Sequence, residues 1–412
     1  MTQATTADRR NLAMVKALTY LMFAMFAMTT DSVGIIIPEV IRTFQLSLTA
    51  GGTFQYATMA GIAFAGLLLG QLADRFGRRR TIVVGLTLFA TACFVFAVGE
   101  AFVFFAVLMG LSGVAIGVFK TGALALIGDI SRSTAQHTSI MNTAEGFFGV
   151  GAIIGPAILA QLLGAGLPWQ WLYVMAGALC VALIVLALLV RYPDTTKPSA
   201  GGVARRTGDA MKSPFVLAFS AGAFLYVGVE AAIYVWMPTL LAGYTGTATT
   251  MAAYSISIFF LLRAAGRFLG AWMLTRLQWQ AVLAVSTGSI LACFGLSTAG
   301  GIDWAVYLLP LSGLFMSVVY PTLNSKGISC LPRSAHGAAA GVILFFTCVS
   351  AVLAPMAIGA ISDAMGHISY GFWLATGFAV LLFAGALTNW LLDPTRAVLE
   401  RLDAADYQPV ST

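Results

Sequence analysis

Charged side chains are scarce in this sequence, since only 9% of its 412 residues are Asp, Glu, Lys or Arg. A soluble domain usually carries about 25%, and disordered chains and coiled coils need still more polar surface. All three classes are therefore excluded. The sequence is instead rich in hydrophobic residues, which make up 59% of the chain and give a mean hydropathy of +0.90.

Cysteine and histidine are too few and too scattered for a disulfide framework or a metal site. The five cysteines include no CxxC pair, and the three histidines form no HExxH motif. Lys120-Thr121 follows Phe119 where a phosphate-binding loop requires glycine, which argues against ATP as an energy source. Catalytic and nucleic-acid motifs are missing too. We therefore expect no enzyme activity, no metal, no bound cofactor and no nucleic-acid partner.

Long apolar segments are what the sequence has instead. A membrane-spanning helix needs about 20 apolar residues, and twelve segments of about that length follow one another along the chain. The sequence therefore predicts an all-α membrane protein with twelve transmembrane helices, whose first partner is the lipid bilayer. The predicted spans cover about residues 14–38, 51–73, 80–99, 101–128, 138–165, 169–191, 214–241, 249–275, 279–299, 304–328, 337–362 and 368–392.

The basic residues are distributed very unevenly between the loops. Seventeen of the 22 Lys and Arg residues fall in loops on the side of the N-terminus, which we call the basic side. Only Arg42 falls in a loop on the other side, and four lie inside apolar spans. Cytoplasmic loops carry this kind of excess. We therefore expect a multi-pass protein of the inner (cytoplasmic) membrane with both termini in the cytoplasm.

The two halves of the sequence resemble each other. A shift of 200 residues places Pro38 on Pro238 and Leu111-Ser112-Gly113 on Leu311-Ser312-Gly313. The longest interruption between spans holds two prolines, two glycines and several basic residues. These features predict an N-terminal six-helix bundle at 1–191, a cytoplasmic linker at 192–212 and a C-terminal six-helix bundle at 213–412. Transporters built from such repeats bind their solute between the halves, near the bilayer midplane.

A glycine- and arginine-rich loop follows the second span. It reads Gly70-Gln-Leu-Ala-Asp74-Arg75-Phe-Gly77-Arg78-Arg79-Arg80. Gly70 lets two helices approach closely, Gly77 permits a tight turn, and Asp74 can pair with an arginine or cap a helix. We expect Gly70, Asp74, Arg75, Gly77 and Arg78 to form a gating loop in which Asp74 and Arg78 latch helix ends. The alternative is a basic loop that only sets topology.

This loop resembles the signature loop of the major facilitator superfamily. The twelve spans, the central linker and the duplication agree with that family over essentially the whole chain. The resemblance implies the superfamily fold, with two pseudo-symmetric six-helix bundles, and transport of a small-molecule solute by alternating access. We expect a monomer.

Among the ionisable residues inside the predicted spans, five call for an explanation: Asp31, Lys120, Glu145, Glu230 and Arg263. Each costs about 2.5–3.5 kcal/mol at the centre of a membrane helix, so each is a functional candidate. Lys120 and Glu145 both lie about 12–14 Å from the loop that joins their helices, a matched depth at which they could pair. Asp31 and Glu230 lie about 22–27 Å deep. The alternative interpretation is a set of ion pairs that only hold helices together.

A carboxyl group in an apolar cavity binds and releases protons near neutral pH, so it can link solute movement to a proton gradient. We assign proton coupling to Asp31, Glu145 and Glu230, with the proton as coupling ion. Other polar, cationic and aromatic side chains at similar depths could line a sugar-sized cavity, although each could equally be a belt aromatic or a helix–helix contact. The predicted solute-binding residues are Gln55, Lys120, Asn142, Tyr226, Trp236, Arg263, Tyr320 and Asn324, and Tyr20 belongs to the same group.

Two segments narrow the resemblance. The fifth span contains Asn142-Thr-Ala-Glu145-Gly-Phe147-Phe148-Gly149-Val-Gly151, and the seventh contains Phe224-Leu225-Tyr226-Val227-Gly228-Val-Glu230. Both resemble the fucose–glucose–galactose:proton symporter type, in which Asp31 would suit the proton-carrying acid. The resemblance implies proton-coupled uptake of a sugar or sugar derivative. Two alternatives stay open: a facilitator transporter of an organic anion or an exported drug, and a receptor, enzyme or channel on the same scaffold.

Overall fold

The computed structural model describes residues 6–69, 76–130, 134–192, 210–332 and 336–406. Every regular element within those ranges is helical, which confirms the all-α membrane fold. Eleven helical segments among the described residues are long and apolar enough to cross a membrane. Within the predicted second span, the described helix covers Thr53–Leu68. Residues 70–75, which include Gly70, Asp74 and Arg75, lie outside the described ranges.

The chain divides into two compact units, Met1–Ser199 and Ala200–Thr412, and the division falls within the predicted linker. We call them the first and the second unit. The helices of the first unit are α1 (Thr6–Thr30), α2 (Val33–Phe44), α3 (Leu48–Gly51), α4 (Thr53–Leu68), α5 (Arg78–Val95), α6 (Phe102–Ile130), α7 (Thr134–Gly164) and α8 (Gln170–Leu189).

Among the described residues, the second unit has ten α-helices against eight in the first. A π-helical turn (Ala232–Trp236) joins its first two helices. Its last helix follows the twelfth predicted span. The helices are α9 (Pro214–Ala231), α10 (Met237–Leu241), α11 (Thr249–Ala253), α12 (Ser255–Arg276), α13 (Trp279–Gly300), α14 (Ile302–Met316), α15 (Val319–Ser329), α16 (His336–Met365), α17 (Ile368–Leu392) and α18 (Arg396–Asp406).

The two units repeat the same helix pairings. In the first unit α1 packs on α7, α4 and α5 both pack on α6, and α5 packs on α8. In the second unit α9 packs on α16, α12 and α13 both pack on α14, and α13 packs on α17. Each pair in one unit corresponds to a pair about 200 residues away, so the sequence repeat is also a repeat of packing.

One glycine contact shows how closely the repeat is kept. A Cβ atom on Gly113 of α6 would overlap the carbonyl oxygen of Thr58 on α4. A Cβ atom on Gly313 of α14 would likewise overlap the carbonyl oxygen of Phe259 on α12. Only glycine permits this backbone approach, which is typical of membrane helices packed without a hydrophobic driving force.

Three predicted spans are interrupted near their middle. The first breaks at Asp31 and Ser32 between α1 and α2, and the seventh passes through the π-helical turn. The tenth breaks at Ser317 and Val318 between α14 and α15. The spans predicted over 14–38, 214–241 and 304–328 are each found as a candidate membrane span, and each contains one such interruption. The first span also begins earlier than predicted, at Thr6.

Proline explains the two interruptions of the second unit. A proline inside a helix lacks the amide hydrogen, and its ring crowds the carbonyl four residues earlier. For Pro238 that carbonyl belongs to Tyr234 in the π-helical turn, and for Pro321 it belongs to Ser317 at the break. A π-helical turn, which holds one extra residue, is a common way for a helix to accommodate such a disruption.

Hydroxyl side chains compete with the backbone at the break of the first unit. The hydroxyls of Thr29 and Thr30 both donate to the carbonyl of Phe26, at 2.9 and 3.1 Å. The hydroxyl of Ser32 donates to the carbonyl of Met28 at 2.5 Å. Such local bonds offer the chain an alternative to the regular helical ladder. The run of Thr, Thr, Asp and Ser is therefore the sequence signal for this break.

Candidate functional site

The deepest charges of the second unit form an ion pair. Arg263 on α12 contacts Glu230 at the end of α9, and their side chains are 22% and 10% exposed. The pair lies next to the π-helical turn, which starts two residues after Glu230. Two opposite charges attract much more strongly in these surroundings than in water. The sequence marks both residues as candidates but does not predict that they meet.

Tyr226 ties this ion pair to the break in the tenth span. It lies one helical turn before Glu230, is 1% exposed, and donates its hydroxyl to the carbonyl of Met316 at 3.1 Å. Met316 is the last residue of α14, where helical carbonyls lose their own partners. The ring of Tyr226 also stacks on Tyr320 at 6.1 Å between centroids. Sequence reasoning predicts a solute contact for Tyr226, which stays a prediction, and the structure adds this hydrogen bond to the end of α14.

Trp236 has a packing role as well. Its side chain is fully buried, and its indole N–H donates to the carbonyl of Pro355 on α16 at 2.9 Å. The predicted solute contact of Trp236 stays a prediction, and the structure adds this packing contact. Tyr320 and Asn324 remain half-buried on α15. Because they are four residues apart, they share one helix face.

Gln55 of the first unit is buried rather than cavity-lining. Its side chain is 1% exposed, and neither amide atom has a hydrogen-bond partner among the described residues. The preceding residue, Phe54, stacks on Phe102 and contacts the edge of Trp169. Gln55 therefore lies beside an aromatic cluster near the end opposite the basic side, and its solute contact stays a prediction.

Asp31 lies at the break between α1 and α2. It is half-buried, and one carboxylate oxygen accepts a hydrogen bond from the hydroxyl of Thr30 at 3.0 Å. The shift of 200 residues places Asp31 on Ala231, which lies between Glu230 and the π-helical turn. Each unit thus carries a deep carboxylate where its first span is interrupted.

Lys120 and Glu145 do not form the ion pair that their matched depth suggests. The ion pairs found among the described residues do not include one between these two side chains. The ammonium group of Lys120 lies over the ring of Phe148, 5.3 Å from its centroid. Glu145 is exposed on the same helix as Phe148. The predicted pairing is therefore wrong for this state.

A pair of stacked aromatic rings lies close to Glu145 in the same unit. Tyr20 on α1 stacks on Phe147 of α7, with 5.4 Å between the centroids and 21° between the planes. The Tyr20 hydroxyl is hydrogen-bonded to Thr143, two residues before Glu145. The side chains of Lys120, Glu145, Tyr20, Phe147 and Phe148 form what we call the aromatic–charge cluster of the first unit. Asn142 lies on the same helix, and its side chain falls outside the described part of the chain.

Arg78, the last residue of the predicted gating loop, forms a buried ion pair. Gly77 has a φ of 85°, a conformation that favours glycine, and it directly precedes α5. Arg78 is 5% exposed, and its Nε donates to Oδ2 of Asp129 near the end of α6 at 2.8 Å. The sequence predicts Asp74 as the partner in the latch but does not single out Asp129. Asp129 could have been identified from the sequence, because it is a single acid at the end of a long apolar segment.

Removing either partner of the Arg78–Asp129 pair should destabilise the protein. We expect Arg78→Ala or Asp129→Asn to lower the free energy of unfolding by about 3–5 kcal/mol, because a buried charge is left uncompensated. Chemical denaturation in detergent measures this. Arg42→Ala is the control, since Arg42 forms an exposed pair with Glu39 and should change little. Equal effects of Arg42→Ala and Arg78→Ala would contradict the assignment.

Comparison with known proteins decides the family. A family model described as Major Facilitator Superfamily matches residues 19–355. This chain belongs to the major facilitator superfamily. The superfamily is one of membrane transporters rather than an enzyme class.

Curated relatives cover most of this facilitator. A glucose/galactose transporter of Brucella abortus biovar 1 (strain 9-941) is 25% identical over 383 residues, which span 89% of this chain and 92% of the relative. A protein TsgA homolog of Erwinia tasmaniensis is 23% identical over 320 residues, which span 75% of this chain and 79% of the relative.

Solved structures share the fold. The nucleoside transporter NupG aligns with a TM-score of 0.73 at 15% identity, covering 92% of this chain and 99% of that one. FucP in its outward conformation aligns with a TM-score of 0.64 at 19% identity, covering 92% of this chain and 99% of that one. At these identities the likeness concerns the fold alone.

Proposed function

We propose that this facilitator takes up a sugar or sugar derivative, as a monomer, by coupling its movement to entry of a proton. The similarity to a glucose/galactose transporter over 89% of the chain supports the solute class. The observation that carries the coupling is the pair of deep carboxylates, Asp31 and Glu230, each next to the interruption of the first span of its unit.

Proton coupling follows from the setting of these carboxylates. A carboxyl group gains most from a proton where water is scarce, and it loses that proton when water or a cation approaches. An interrupted span can change its path locally, and so alter the surroundings of the acid beside it. Asp31 accepts a hydrogen bond from the hydroxyl of Thr30, whereas Glu230 forms an ion pair with Arg263. We assign the exchanged proton to Asp31, and to Glu230 the role of a charge that Arg263 can release.

The aromatic–charge cluster supplies the sugar contacts in this proposal. Aromatic rings can lie against the apolar face of a sugar ring, and Tyr20 and Phe147 present such a stacked surface. Lys120 and Glu145 can bind hydroxyl groups from either side, since they are not bound to each other. Tyr320 and Asn324 offer the corresponding polar surface on the second unit.

Orientation is the remaining part of the proposal. Seventeen basic residues in the loops of one side against one on the other place the basic side in the cytoplasm. Both termini then lie in the cytoplasm, and the membrane is the inner membrane of a bacterial-type cell, as the relatives' organisms suggest.

Uptake into proteoliposomes tests the proposal. Radiolabelled glucose, galactose and fucose are each offered with an inward proton gradient and again without one. We expect at least one of them to accumulate above its equilibrium level, and only while the gradient persists. Accumulation of a sugar acid with no competition from neutral sugars would instead support an organic anion as the solute. Equal uptake with and without the gradient would contradict proton coupling.

Lys120 and Glu145 should contribute independently to binding. We expect Lys120→Met and Glu145→Gln each to weaken binding of the transported sugar by about 1.5–3 kcal/mol, the size of a hydrogen bond to a charged group. The double variant should show the sum within about 0.5 kcal/mol. Titration calorimetry on purified protein measures these affinities.

Lys326 provides the matched control, because its ammonium also lies over a ring, that of Trp279 at 5.5 Å. Lys326→Met should leave the affinity unchanged. A double Lys120→Met, Glu145→Gln variant with near-normal affinity would show that the two residues pair with each other rather than with the sugar.

A further inference from the structure

A groove on the first unit lies beside the start of α5, on the basic side. Its volume is about 570 Å³, and it is enclosed by residues of α5, α6 and α8. Its walls are almost entirely apolar, and its three polar lining residues, Arg79, Arg80 and Thr81, come from the first turn of α5. The lining residues are Phe76, Arg79, Arg80, Thr81, Val83, Val84, Val118 and Leu188.

Two exposed arginines line the groove. Arg79 donates one N–H to the carbonyl of Leu188 in the last turn of α8, which leaves most of its five donors available. Arg80 has no carboxylate partner among the described residues. Burial raises the pKa of nearby Tyr192 to about 12 although the charge of Arg79 opposes the rise, so this phenol is neutral at pH 7. Both arginines are thus free to bind an anion.

The groove opens toward the lipid-facing surface. Exposed side chains of α5 recur at Arg80, Val84, Leu88, Thr91 and Phe94, a spacing that places them on one face of the helix. Apart from Arg80 and Thr91 this face is apolar, as expected of a surface in contact with hydrocarbon. Arg80 therefore lies at the height where a phospholipid headgroup meets its acyl chains.

The repeat shows that the arginines are not needed to build the groove. A crevice of about 400 Å³ on the second unit is lined by Leu283 and Thr388, which the shift of 200 residues places on Val83 and Leu188. At the positions of Arg79 and Arg80 the second unit has Trp279 and Gln280, and α13 begins there all the same. The apolar crevice thus belongs to the repeat, whereas the two charges belong to the first unit alone.

We propose that the groove of the first unit binds one anionic phospholipid of the bilayer. Its phosphate lies between Arg79 and Arg80, and an acyl chain lies against Val84 and Leu188. Basic pockets between membrane helices on the cytoplasmic side recognise anionic headgroups in this way. The charge complementarity selects an anionic lipid over a zwitterionic one.

Native mass spectrometry of the full chain in detergent tests this. Phosphatidylglycerol and phosphatidylcholine are titrated onto wild type, Arg80→Gln and the double variant Arg79→Gln, Arg80→Gln. We expect phosphatidylglycerol to bind about fivefold more weakly for each arginine removed, with little change for phosphatidylcholine. Arg276→Gln is the matched control, because Arg276 is an exposed arginine at the end of α12 on the same side, outside any groove of the first unit.

Arg80→Gln keeps the result independent of folding, since this side chain has no partner in the described structure while Arg79 supports the end of α8. Unchanged phosphatidylglycerol affinity in Arg80→Gln and in the double variant would overturn the proposal. Equal binding of both lipids to wild type would show that the groove binds acyl chains without selecting the headgroup, and would overturn the proposed selectivity. Displacement of the lipid by millimolar inorganic phosphate would show a phosphate site rather than a lipid site.

Discussion

Replacing Asp31 by asparagine should abolish proton-driven accumulation of the solute while leaving exchange of solute across the membrane intact. Asparagine keeps the size of the side chain and can still accept the hydrogen bond from Thr30, but it cannot exchange a proton. The variant should therefore equilibrate the solute without concentrating it. Proteoliposomes loaded with unlabelled sugar measure exchange, and empty proteoliposomes with an imposed proton gradient measure accumulation.

Glu39→Gln is the matched control for this experiment. Glu39 is an acid on α2, eight residues after Asp31, but it forms an exposed pair with Arg42. Its replacement should leave both accumulation and exchange near their normal rates. Normal uphill uptake by Asp31→Asn would remove Asp31 from the coupling mechanism, whereas loss of both activities would point to a folding or binding defect.

Neutralising either partner of the Glu230–Arg263 pair should strongly destabilise the protein, as it should for the Arg78–Asp129 pair. We expect Glu230→Gln or Arg263→Gln alone to lower the free energy of unfolding by about 3–5 kcal/mol, because the remaining charge is mostly buried and loses its partner. The double variant removes both charges and should recover most of that loss. Chemical denaturation in detergent measures the four proteins of this cycle.

Transport separates the structural from the functional role of the pair. If the pair only holds α9 to α12, the double variant should recover transport together with stability. We expect recovery of stability without recovery of proton-driven uptake, because the proposed mechanism needs a charge that Arg263 can release. Glu400→Gln is the control, since Glu400 pairs with Arg396 in an exposed position and its loss should not be measurable. A double variant with normal uptake would contradict the coupling role of Glu230.

The spans could be predicted from the sequence because the bilayer fixes their length. Apolar runs of about 20 residues have few alternatives in a hydrocarbon environment. The interruptions were missed for the opposite reason: hydropathy averages over a window and ignores single residues. Pro238 and Pro321 were visible in the sequence, but proline is also tolerated in unbroken membrane helices, as Pro156 in α7 shows.

The side-chain pairs were harder to predict than the spans. Distance from a loop gives the depth of a residue in the membrane, but not the direction in which its helix faces. Lys120 and Glu145 share a depth and yet do not pair, while Glu230 pairs with Arg263 on a helix that does not follow it directly. The facing direction depends on helix packing, which involves residues far apart in the chain.

The glycine contacts at Gly113 and Gly313 divide each unit into stiff and soft parts. Where the backbone of α6 touches that of α4, and α14 touches α12, no side chain lies between them that could change rotamer and let one helix slide. We therefore expect the helix pairs α4–α6 and α12–α14 each to move as one rigid body. Deformation during a transport cycle must then concentrate where the helical ladder is already broken, at 31–32, 232–236 and 317–318. Asp31 and Glu230, the carboxylates of the proposed proton coupling, lie beside two of these interruptions rather than on the rigid helix pairs.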